Sequence, residues 1–181
     1  GKEFKNVVGP QVHIGIAIAK AIEKFGDAGN QNIEFLVKEI AEPVYNLMAE
    51  HEVTKSDGRP LEARIVPLGP GSNTAGIEHN LGTYLLFKYL GEKLDGELGL
   101  KYKEASKRIA NFLKTPVERG GAYFSEEGRF VRGIRDIKRF TAGEIGSEAG
   151  ETGTEAVDFG EATDVEAWGT EVVAYNRDDF D

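Results

Sequence analysis

Three glycines, Gly69, Gly71 and Gly76, stand between a candidate strand and a candidate helix N-terminus, the setting in which backbone amides cradle phosphate. Gly71 and Gly76 have the spacing of G-x-x-x-x-G-K-[ST], but Ile77 and Glu78 stand where the lysine and the hydroxyl residue belong. A carboxylate at that point repels a phosphate. Against G-x-G-x-x-G, Thr74 replaces the third glycine, and no repeated strand–helix pattern surrounds it. A tight loop that aims the following helix is the favoured reading; a nucleotide-binding enzyme using Gly69 to Gly76 is an alternative.

The histidines are His13, His51 and His79, and none stands in H-E-x-x-H or another metal-ligand spacing. His51-Glu52 and Glu78-His79 are neighbours in sequence, so on a helix their side chains diverge and cannot ligate together. Ser72 lacks the surroundings of a nucleophile elbow, and the many carboxylates offer no distinct acid/base pair. With no cysteine, disulfides, thiolate metal sites and a cysteine nucleophile are excluded. No catalytic, cofactor-binding or metal-binding residue is assigned, and a non-enzymatic chain without a cofactor is expected.

The most distinctive charge feature is the run Arg129, Arg132, Arg135, Lys138 and Arg139. Such a run can contact nucleic-acid phosphates while Phe130 and Phe140 stack on bases, which makes nucleic-acid binding a second alternative. An acidic stretch follows at once, however. Residues 141–181 hold 12 Asp and Glu against Arg177 alone, whereas the 140 residues before them hold 21 Lys and Arg against 19 acids. Pairing of the basic run with the acidic tail, within one chain or between copies, satisfies both charges and is preferred.

The element that must organise these residues is 74–94, where Ile77, Leu81, Tyr84, Leu86, Phe87, Leu90 and Leu94 spread around most of a helix. It reads as a buried central helix with Asn73 or Thr74 as N-cap. Lys88, Glu92 and Lys93 exclude a membrane span, and the first 25 residues lack the pattern of a signal peptide. A first helix is expected after Gly9-Pro10 and ends at Gly26, with a strand through 13–19 as the competing reading. The stripe Ile33, Leu36, Val37, Ile40, Val44, Leu47 and Met48 predicts an amphipathic helix that stops near His51, with a kink or a helix junction at Pro43. A turn over 55–60 leads to one short strand or linker, and a further amphipathic helix carries Tyr102, Ala105, Ile109, Phe112 and Leu113.

Beyond Pro116 a β-hairpin is expected at about 122–132, and the Gly-, Glu- and Thr-rich stretch after Thr141 shows no helical period. Hydrophobic anchors, Phe159, Trp168, Val172, Tyr175 and Phe180, recur between its acidic spacers. The expected fold is mainly α: a helical body over 1–115, a hairpin and basic segment over 116–140, and an extended acidic arm over 141–181. The expected function is structural, in a homo-oligomer whose arm clasps neighbouring subunits. In architecture alone this resembles virion connector and capsid-associated proteins. The expected partners are copies of the chain or neighbouring structural subunits, not a membrane; the sequence leaves the location open, with a virion as one setting it allows.

Overall fold

The computed structural model describes residues 8–27, 31–135, 137, 157–158 and 163–180. The fold is mainly helical, with a few small antiparallel sheets. Its centre is α4 (Ile77–Lys93), whose Ile77, Leu81, Tyr84, Leu86, Phe87 and Leu90 are buried. The helices α1 (Val8–Phe25) and α5 (Gly96–Lys114) pack on α4. Two glycines set these approaches. A Cβ on Gly82 would lie 2.8 Å from Val12 Cγ1, and one on Gly91 would lie 2.8 Å from the Lys103 backbone nitrogen, so neither contact has room for a methyl group.

The competing strand reading of 13–19 gives way to helix. α1 ends at Gly26, whose φ of +80° allows its N–H to reach the Ile22 carbonyl at 2.8 Å. The next helical stretch starts where Asp27 accepts from the backbone N–H groups of Asn32 and Ile33, both at 3.1 Å. It runs as α2 (Gln31–Phe35), a π-helical turn (Leu36–Ala41) and α3 (Glu42–Leu47). Pro43 has no N–H to continue the ladder; the wide turn just before it, closed by Glu42 N–H on the Val37 carbonyl, takes up the mismatch.

The helix does not continue to His51 as expected. The chain leaves it at Met48 and forms β1 (Ala49–Thr54), which pairs antiparallel with β2 (Pro60–Ile65) in the register His51↔Ala63 and Val53↔Leu61. Alternation explains the change. Val53, Ala63 and Ile65 are buried while Glu50, Glu52 and Glu62 face out, and the latter set would interrupt any helical stripe. Central-helix capping also differs from expectation. Neither Asn73 nor Thr74 is the N-cap, because Ala75–Gly76 form β3 and delay the helix to Ile77.

The hairpin forms as β4 (Tyr123–Phe124) and β5 (Arg129–Phe130), closed by Gly128 N–H on the Phe124 carbonyl at 3.0 Å. β6 (Gly133–Ile134) then pairs with β3 on one side and with β7 (Val157–Asp158) on the other. The acidic arm is not extended throughout. Thr163–Tyr175 is helix α6 and Arg177–Phe180 is a single turn, α7. Gly169 and Val172 are buried and Val173 and Asn176 half-buried, an i, i+3, i+4, i+7 face made largely of small residues.

One buried side chain ties the centre together. Asn80, fully buried, accepts from Val66 N–H at 2.8 Å and donates to the carbonyls of Val66 at 3.1 Å and Gly76 at 2.8 Å. Asn80→Ala strips the partners from buried backbone groups and should lower stability by about 3 kcal/mol. The check is the urea midpoint, which should fall with an unchanged slope; an unshifted midpoint would contradict this role.

Candidate functional site

Tyr84 and Lys88 lie one turn apart on α4, so both side chains leave the same face. That face receives the C-terminal turn. The Tyr84 hydroxyl donates to Asp179 Oδ2 at 2.6 Å, Lys88 Nζ bonds the same oxygen, and Lys114 Nζ, at the end of α5, donates to the Asp179 carbonyl at 3.1 Å. The Phe180 ring stands edge-on to Tyr84 with centroids 5.3 Å apart. Further back along the arm, α6 packs on α4 and β5, where Gly169 passes under the Phe130 ring; a Cβ there would be 2.5 Å from Phe130 Cδ2. Asn176 Nδ2 donates to the Val172 carbonyl at 2.8 Å and closes the end of α6.

The charges fit the contact. Burial pushes the Asp179 carboxyl up, but hydrogen bonds from Lys88 and Tyr84 and the charges of Lys88 and Lys114 outweigh it and hold it below its ordinary value. Burial, followed by the Asp179 hydrogen bond and charge, pushes the Tyr84 hydroxyl well above the usual tyrosine range. Tyr84 therefore stays a neutral donor and Asp179 an ionised acceptor at neutral pH.

Of the expected arm anchors, Val172 is buried on the inner face of α6 and Phe180 packs on Tyr84. Trp168 and Tyr175 lie on α6, and Phe159 lies outside the described residues. In the basic run, Arg129 pairs with Glu127 at 2.6 Å and Arg135 with Asp158 of the arm at 3.4 Å. Arg132 is exposed, and its backbone N–H donates to the Asp158 carbonyl at 2.8 Å. Lys138 and Arg139 lie outside the described residues. The sequence reading missed Tyr84, Lys88, Lys114 and Asp179. The i, i+4 spacing of Tyr84 and Lys88 was a visible signal, masked because Tyr84 also fits the apolar circumference.

The glycine loop is tied into the fold. Leu68 N–H donates to the Thr74 carbonyl, Thr74 N–H to Ser72 Oγ, and Ile77 N–H, at the start of α4, to the Arg132 carbonyl at 3.1 Å. These amides are committed before any phosphate arrives. The histidines serve packing: His51 Nε2 donates to the Gly120 carbonyl at 2.7 Å with its ring edge-on to Phe112, and His79 lies against Gly9. His13 Nε2 stands 3.2 Å from Glu78 Oε1. Burial lowers the pKa of His51 and of His79. Among the described residues no group of three or more His, Asp or Glu is placed to hold a metal ion. No helix among them is long and apolar enough to cross a membrane.

No family model matches the chain, and no curated protein or solved structure matches it.

Because the Asp179 carboxyl is held below its ordinary 3.8, its contribution to arm docking is present above that pH and lost as the pH falls through the lowered value. Asp179→Asn should therefore speed amide exchange in α6 about tenfold at neutral pH while leaving the centre of α5 protected. Wild type should approach the variant on acidification below 3.8. Equal α6 exchange in both at neutral pH would remove Asp179 from the docking account.

Proposed function

We propose that the chain is a non-enzymatic structural subunit of a homo-oligomer, and that its C-terminal segment clasps a neighbouring copy. The observation that carries this reading is the latch of Asp179 and Phe180 on Tyr84, Lys88 and Lys114, a discrete docking site on the body for residues 179 and 180. Residues 138–156, between β6 and β7, span at most about 65 Å when fully extended, enough to carry β7, α6 and α7 to the same site on an adjacent copy. Exchange of an identical element between protomers repeats every contact made within one chain, so it adds little cost and closes subunits into a ring or chain. Apolar side chains left exposed on α1 and α2, Ile14, Phe25 and Phe35, offer a further contact surface. An assembly of the virion connector or capsid-associated kind is the setting this reading favours. Nucleic-acid binding through Arg129 to Arg139 ranks below it, since Arg129 and Arg135 already face Glu127 and Asp158.

The test is solution mass by multi-angle light scattering on the full chain and on the double variant Asp179→Ala, Phe180→Ala. The expected result is a discrete oligomer for the wild type and a smaller species for the variant at the same concentration. Monomers for both, or an oligomer unmoved by the two substitutions, would overturn the clasp.

A further inference from the structure

Between the β4–β5 hairpin, the end of α5 and the arm helices lies a cavity of about 540 Å³, a volume in the range of small-molecule sites. Its charged liners among the described residues are all cations: Lys114, Arg129 and Arg177. Its aromatic liners are Tyr123, Phe130 and Phe180. The geometry points to a binding site for a small aromatic phosphate monoester, its ring among the three aromatic side chains and its phosphate at the three cations.

The charge balance selects this class. Glu127 answers Arg129 at 2.6 Å from outside the cavity lining, and Lys88 and Lys114 share the single Asp179 carboxylate, so the cations Lys88, Lys114, Arg129 and Arg177 outnumber these two carboxylates by two. That net excess of about two positive charges around the cavity matches a phosphate monoester, which carries ~1.5 to 2 negative charges at neutral pH. Arginine offers a fork that fits phosphate oxygens, and Lys114 supplies a point charge. A carboxylate would answer only one of these charges, and an uncharged ring would answer none. The Tyr123 and Phe130 rings meet edge to face, with centroids 6.0 Å apart and planes at 74°, and form an aromatic wall of the cavity.

This site goes beyond the clasp and does not rest on it. The cavity has the same walls whether α6 and α7 come from the same chain or from a neighbour. Its occupant bridges the hairpin to the arm, so occupancy favours the docked arm.

The experiment is titration calorimetry of the full chain with 1-naphthyl phosphate, with 1-naphthol and inorganic phosphate as the two half-ligands. Arg177→Gln and Tyr123→Leu are the variants, and the exposed position of Arg177 leaves the fold intact in the first. Saturable binding of 1-naphthyl phosphate is expected, at least about tenfold tighter than either half-ligand and weakened about tenfold by each variant. Absence of binding at millimolar probe, equal affinity for 1-naphthol, or affinity unchanged in both variants would overturn the proposal. As Arg177 and Tyr123 make none of the Asp179 hydrogen bonds, failure here leaves the oligomer measurement to stand or fall on its own.

Discussion

The fold depends on a helix with almost no side turned to water, and on an amide side chain buried within it. Asn80 sits in α4 among Ile77, Leu81 and Tyr84, and supplies both donor and acceptor to Val66 where β2 has ended and no further strand is available. Its third bond, to Gly76, holds the turn from β3 into α4. A buried amide is tolerated only when its bonds are made, so the same three bonds that remove a penalty also fix where α4 begins. From that origin, one turn further along α4 places Tyr84 and two turns place Lys88, the pair that faces the C-terminus. Docking geometry is thus inherited from the core.

Energetically the latch at Asp179 and Phe180 is a light attachment. Lys88 and Asp179 retain side-chain exposures of 29% and 41%, so their ion pair is screened and contributes no more than about 1 kcal/mol. The buried Tyr84 hydroxyl adds a charge-assisted bond, and Val172 and Phe180 add apolar contact. Attachments of this size hold an arm in place by proximity and release it on the timescale of local opening. The exchange proposed above would leave the body folded, since α1 and α5 stay packed on α4 through Gly82 and Gly91.

Apolar periodicity made the helical centre legible: α1, α4 and α5 follow stripes that any reading at 3.6 residues per turn finds. The hairpin at Tyr123 to Phe130 was legible from its turn. β1 was not, because Ala49, His51 and Val53 are too few and too mild to announce an alternating strand after a strong helical stripe. α6 was hidden for a related reason, since its inner face uses Gly169 and Val172 where a helix usually shows leucine. Val172 and Phe180 stand out in the sequence because they are apolar in an acidic stretch. Asp179 does not, because nothing in a row of carboxylates marks the one that meets a buried tyrosine and a lysine.

On the proposed clasp, a neighbour's arm fills the latch. The chain has no cysteine, so Lys107→Cys and Asp178→Cys can be placed together as its only thiols. Both line the cleft between α5 and α7, where a short bismaleimide can span them. At the concentration at which the oligomer is observed, exchanged arms predict a ladder of covalent dimers and higher species on a denaturing gel, absent in each single-cysteine variant. A single intrachain product at monomer mass, at every protein concentration, would contradict the account.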